Sequence, residues 1–148
     1  PSAIRYPRAE IVERPLKSRS LVAGKAEILR NGGRAVVFCL GPLCYEALAA
    51  APEDVAVVDL RFAKPLDSKT VRTLVTQCGG RFVVVEEGCR MGGVGEAVLE
   101  ALAGLDLRLN YRLLGLPDRF VAHGAQTRLM DRLGLNAVGI RAALDEIL

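Results

Sequence analysis

The sequence predicts an α/β domain of three layers, with a mostly parallel mixed sheet of about five strands between two layers of helices. Short β-branched apolar runs alternate with longer segments of helical periodicity. The runs are apolar at successive positions, which is the pattern of strands covered by helices on both faces. The length of 148 residues, 51% of them hydrophobic, suits one domain around its own core. At this size roughly 68–70% of the unfolded chain's surface is buried on folding, so neither disulfides nor a metal is needed.

Taken in order, residues 25–29 read as an extra strand. The Asn31-Gly32-Gly33 turn joins it to the next run, and that connection predicts an antiparallel pair. Residues 35–40 are the first core strand, and Gly41-Pro42 ends it and opens a helix, since proline loses no hydrogen bond in a first turn. The Ala-rich stretch 43–51 has the composition of that helix. Residues 55–60 form the next strand. Asp67-Ser68 then offers an N-cap oxygen, Val71, Leu74, Val75 and Cys78 fall on one helical face, and Gly79-Gly80 ends the helix. After the strand at 82–85, Val98, Ala101, Leu102 and Leu105 repeat the stripe. After the strand at 109–114, Ile140, Ala143, Leu144 and Ile147 do so again. Each stripe is a core face, in which one buried Leu or Val contributes roughly 1.5–3 kcal/mol.

Composition excludes several functions. With 5% aromatic residues and no Trp, the chain makes a poor stacking platform for sugars or bases. A net charge of +3, from 20 Lys and Arg against 17 Asp and Glu, is too balanced to imply nucleic acid. Basic residues concentrate only at the start, where Arg5, Arg8, Arg14, Lys17 and Arg19 suit a solvated linker. No apolar run approaches the ~20 residues of a membrane span, and no signal-peptide core is present, so a soluble, cytoplasmic chain is expected. Cys39, Cys44, Cys78 and Cys89 form no C-x-x-C pair and have His123 as the one histidine, which argues against zinc. Cys39 and Cys78 read as buried hydrophobes and Cys89 as an exposed thiol. The chain begins Pro1-Ser2-Ala3 without Met, which suggests a processed product or an excised piece.

Three segments fall at carboxyl ends of strands, where ligands bind open α/β sheets. In the first, residues 61–67, Arg61 and Lys64 can grip an anion. The structural alternative, which we prefer, has Asp67 capping a helix, Pro65 fixing a turn and Arg61 paired with a carboxylate. In the second, the adjacent Glu86 and Glu87 invite a general acid/base reading, although successive strand residues point to opposite faces. Gly92, Gly93 and Gly95 can present amides to a phosphate at a helix start, but the G-x-G-x-x-G and P-loop spacings are lacking, so close helix packing is the preferred use. In the third, His123 near Asp118 can shuttle protons, yet no nucleophile elbow accompanies it.

Beyond these local readings, several segments together carry a resemblance. Residues 2–8 (Ser-Ala-Ile-Arg-Tyr-Pro-Arg), Arg61-Phe62-Ala63-Lys64-Pro65-Leu66-Asp67, Val85-Glu86-Glu87-Gly88, Met91-Gly92-Gly93-Val94-Gly95, Gly115-Leu116-Pro117-Asp118 and His123-Gly124 resemble the C-terminal part of the 1-deoxy-D-xylulose-5-phosphate synthase family. The Lys-Pro-Leu-Asp and Glu-Glu-Gly segments are shared with the wider transketolase C-terminal superfamily. The Arg-Tyr-Pro-Arg start and Gly-Leu-Pro-Asp point to the synthases.

The resemblance implies a transketolase C-terminal-domain-like fold over 24–148, a linker at 9–23, and at 1–8 the end of a preceding pyrimidine-binding domain. It implies condensation of pyruvate with glyceraldehyde 3-phosphate, with loss of carbon dioxide, by a longer homodimeric enzyme. That enzyme uses thiamine diphosphate and Mg2+ held outside this chain, and its product feeds isoprenoid, thiamine and pyridoxal synthesis. It assigns Arg8 to the substrate phosphate, which a guanidinium fork suits, and leaves the role of Arg5 open; Ala9 stands where the family has Gly. The remaining domains of the same enzyme are the expected partners, with the isolated chain inactive and architectural. Two alternatives stand beside this one: a free-standing interaction or regulatory module, and the corresponding domain of a 2-oxoacid dehydrogenase β subunit or split transketolase.

Overall fold

The computed structural model describes residues 1–4 and 21–148. Arg5, Arg8 and nearly all of the expected linker lie outside the described residues. Ten elements follow one another as β1 (Glu27–Arg30), β2 (Ala35–Cys39), α1 (Leu43–Ala50), β3 (Val55–Asp59), α2 (Ser68–Gln77), β4 (Arg81–Cys89), α3 (Val94–Leu102), β5 (Asn110–Leu116), α4 (Gln126–Leu133) and α5 (Ala137–Asp145). The sheet order is β1-β3-β2-β4-β5, with β1 antiparallel to β3 and every other pair parallel.

The apolar runs of β2, β3 and β4 are buried on both faces, as their composition requires, whereas the run 109–114 in the edge strand β5 has no fully buried residue. Val37, Cys39, Val57, Val83 and Val85 face α1 and α5 with Leu43, Ala47, Ile140 and Leu144. Val36, Phe38, Val58, Phe82 and Val84 face α2 and α3 with Val71, Val75, Val98 and Leu102. On that second face Phe82 stacks on Tyr111 with ring centroids 5.2 Å apart, and Phe38 meets it edge-on at 6.4 Å. The three layers are therefore α1 and α5, the sheet, and α2 and α3.

One expected pairing is overturned. β1 does not pair with β2; it forms the sheet edge beside β3. The Asn31-Gly32-Gly33 turn is a crossing of the chain beneath the start of β3, where the amides of Gly33 and Arg34 both donate to the Asp54 carbonyl. A Cβ on residue 32 would lie 2.3 Å from the Ala56 nitrogen, so only glycine permits the crossing. β4 runs on through Glu86 and Glu87 to Cys89, beyond the apolar run 82–85. α3 ends at Leu102, before Leu105. Helix α4, which the apolar stripes did not predict, buries no residue.

Candidate functional site

At the carboxyl end of β3, residues 61–67 fold back over the start of the domain. Asp59 accepts a hydrogen bond from the Arg61 amide (2.8 Å), and Arg61 adopts a left-handed backbone, φ 58°, a conformation costly for a side chain. The result aims the Arg61 guanidinium at Glu27 on β1, with which it forms an ion pair. Arg61 is thus paired with a carboxylate, as the preferred structural reading of the segment has it. Lys64 is exposed and precedes a cis peptide bond to Pro65.

Asp67 is 5% exposed and caps α2. It accepts from the Thr70 amide (3.2 Å) and from the Ala26 amide (3.3 Å), with the Lys25 ammonium at 3.7 Å. Burial pushes this carboxyl up, but the bonds from Thr70 and Ala26 and the Lys25 charge outweigh it and hold the pKa below the ordinary carboxylate value. The whole segment is a clasp on residues 24–27.

At the carboxyl end of β4, Glu86 and Glu87 part company. Glu86, 5% exposed, turns toward α3 and accepts from the amides of Val94 (3.0 Å) and Gly95 (2.9 Å), the first two residues of that helix. Glu87 lies on the opposite face, lining a hollow of about 270 Å³ with Leu43, Glu46, Met130 and Leu135. The two carboxylates therefore do not meet, as the alternation of side chains along a strand predicts.

Three of the glycine motifs converge on Glu86. A Cβ on Gly93 would sit 2.4 Å from one of its carboxylate oxygens and 2.3 Å from the Cys89 carbonyl; one on Gly88 would sit 2.8 Å from the other oxygen. A Cβ on Gly115 would be 3.2 Å from its Cγ. Gly95 instead packs under Leu113, and Gly92 turns with positive φ. Val-Glu-Glu-Gly, Gly-Gly-Val-Gly and Gly-Leu-Pro-Asp therefore make one structural unit, a buried carboxylate at a helix start where dipole and free amides favour it.

Three further charges act in the same way and were missed by sequence reasoning. Arg30 donates to the carbonyls of Ala51 and Pro52 (both 2.9 Å) just past α1. Glu46 accepts from the first amide of α5, Ala137, at 2.9 Å. Arg72 donates to Ala101 in α3 at 2.6 Å. Each pair is distant in sequence, so no local pattern announces it.

The third segment has no such bonds. Residues 118–128 are exposed without interruption, and His123 has no hydrogen-bond or ion-pair partner among the described residues. Cys39, Cys44 and Cys78 are buried. A hydrogen bond with Cys39 and burial push the Cys44 thiol up, and burial pushes Cys78 up, so both are poor nucleophiles. Cys89 is half-buried beside Leu116 and Phe120.

The described residues offer no site for either of the implied cofactors. The amides that a diphosphate would use at α3 are taken by Glu86, whose charge repels a second anion. Among the described residues no group of three His, Cys, Asp or Glu is placed to hold a metal ion. No helix among them is long and apolar enough to cross a membrane.

Comparison with known proteins gives this geometry its relatives. The sequence pattern described as "Transketolase, C-terminal domain" matches residues 24–140. The chain is 45% identical, over 97% of its length, to the 1-deoxy-D-xylulose-5-phosphate synthase of Syntrophotalea carbinolica, and 40% identical, over all of it, to that of Gloeobacter violaceus. It spans 24% of the length of each. Among solved structures, a split-gene transketolase described as an inactive β4 tetramer superposes with a TM-score of 0.78 at 27% identity, covering 86% of this chain and 43% of that one. The sheet order, the helix layers and the sequence match agree: the chain belongs to the transketolase C-terminal domain family.

Proposed function

We propose that the chain is the C-terminal domain of a 1-deoxy-D-xylulose-5-phosphate synthase. The observation that carries the reading is identity of 40–45% over 97–100% of the chain to relatives of that name, of which it spans 24%. In this reading residues 24–148 are the domain, 9–23 a linker and 1–8 the end of the preceding domain, in a cytoplasmic homodimer. The whole enzyme joins pyruvate to glyceraldehyde 3-phosphate with loss of carbon dioxide, for isoprenoid, thiamine and pyridoxal synthesis. Thiamine diphosphate with Mg2+ supplies the electron-sink chemistry and is held outside this chain. The domain's own contribution is architectural: its buried carboxylates and guanidiniums close helix ends. Arg8, outside the described residues, holds the substrate phosphate through charge-assisted bonds.

The test is an assay for 1-deoxy-D-xylulose 5-phosphate from the two substrates with thiamine diphosphate and Mg2+. The 148-residue chain alone is expected to give none, and the chain joined to its upstream sequence to give turnover. In the longer protein Arg8→Ala is expected to raise KM for glyceraldehyde 3-phosphate at least about tenfold with little change in that for pyruvate, the loss of a charged hydrogen bond costing roughly 1.5–3 kcal/mol. An unchanged KM removes Arg8 from the site. A second reading, a split transketolase subunit, is favoured by the structural match. An upstream region lacking a diphosphate-binding domain would select it.

A further inference from the structure

The stretch from the end of β5 through α4 differs from the rest of the domain. After Pro117 the chain leaves the sheet, and Phe120, with its ring fully exposed, stands beside the exposed Val121. Pro117, Arg119, Phe120 and Val121 form a ridge with a hollow on each side. One, of about 290 Å³, is floored by Leu129 and Leu133 of α4 and carries Arg119 and Arg132. The other, of about 680 Å³, reaches Cys89 and Leu116. Neither Arg119 nor Arg132 has a carboxylate partner among the described residues. An apolar ridge bordered by exposed guanidiniums is the anatomy of a contact surface, since aromatic residues and Arg dominate the energetics of interface centres.

We infer that this ridge docks against the preceding part of the longer polypeptide, on a surface with an apolar centre and Asp or Glu at its border. Two observations select that occupant. The chain spans 24% of its relatives' length, so in the reading proposed above three quarters of the protein lies outside it, joined to it by a linker that keeps the two at high local concentration. Arg119 and Arg132, without a carboxylate partner among the described residues, are complemented by carboxylates on the facing surface. The segment also holds Gly-Leu-Pro-Asp, one of the two motifs that set the synthases apart from the wider superfamily, and Phe120 follows it closely.

Amide hydrogen exchange on the 148-residue chain and on the longer protein tests this. Residues 118–128 are expected to exchange fast in the chain alone and at least about tenfold more slowly in the longer protein, at every concentration used. Equal exchange in the two overturns the inference, and so does protection that disappears on dilution, which would make a second copy the occupant. Phe120→Asp combined with Arg119→Glu is expected to abolish the protection while the melting temperature of the chain alone holds. Protection that survives this change overturns the inference as well. The readout is independent of catalysis: a longer protein inactive toward pyruvate and glyceraldehyde 3-phosphate yet protected at 118–128 rejects the proposed function and keeps the docking surface.

Discussion

Charged side chains are used in two ways in this domain. At the carboxyl ends of β3 and β4 and at the start of α5, Asp67, Glu86 and Glu46 accept first-turn amides of α2, α3 and α5, while Arg30 takes the carbonyls just beyond α1. From residue 118 to 132, Arg119, His123, Arg128 and Arg132 have no such partners among the described residues. Asp67 and Glu86 occupy the positions where an α/β sheet binds ligands, and the charges of the whole group are committed to the fold. The second group lies away from the sheet, and its charges have no carboxylate or helix-end partner among the described residues. The contrast teaches that a charged motif at a strand end identifies a site only when its charge is not already satisfied by a helix terminus.

The largest test of the contrast is Glu86→Ala. It strips two α3 amides of their acceptor in a buried place, and the expected loss is about 2–4 kcal/mol. Urea unfolding of the chain, with an unchanged m value, measures it. A loss under about 1 kcal/mol would mean that Glu86 is not part of the structural group. Gly93→Ala sharpens the same point from the other side. Its Cβ would meet the Cys89 carbonyl and the Glu86 carboxylate, and crowding of backbone and charge is expected to cost about 1–3 kcal/mol.

Asp67→Asn isolates a charge while leaving a competent N-cap. The folded-state pKa of Asp67 lies below its unfolded value, so the carboxylate contributes stability fully above a pH of about 4 and loses it as pH falls through the folded pKa. The native chain is expected to exceed the variant in stability at about pH 7, and the excess to vanish at the lowest pH where both fold. Chemical unfolding from about pH 3 to about pH 7 reads this out; a difference independent of pH would place the effect in packing.

Most of the fold was legible because its core strands are apolar on both faces. Val36 beside Val37, or Val83 beside Val84, announces a covered parallel sheet by adjacency alone, since neighbours in a strand face opposite ways. Two elements were not legible, for opposite reasons. The Gly32-Gly33 turn looks like a hairpin because local sequence does not tell which strand lies beside β1; the glycine serves a crossing under β3. α4 was missed because it buries nothing, although Leu129, Met130 and Leu133 carry a helical spacing and Gly134 ends the helix with a left-handed turn. The site was legible in its motifs and not in their purpose. Glu86, Gly93 and Gly115 come together only after two strands and a helix are in place, and no spacing rule connects them.

The smallest expected effect comes from the second group. His123 and Arg128 are exposed and unpartnered among the described residues, so replacing both with Ala removes no hydrogen bond or ion pair to those residues and little buried area. Exposed substitutions of this kind stay within about 0.5 kcal/mol, which in a domain of this size moves the melting temperature by no more than about 3 °C. Calorimetry on the chain decides it. A larger drop would show that the 118–132 stretch is tied to the domain by contacts of its own, and the division between the two groups would fail where it matters. A null result would leave the arginines and the exposed ring without a task inside this chain, which is the condition for giving them one outside it.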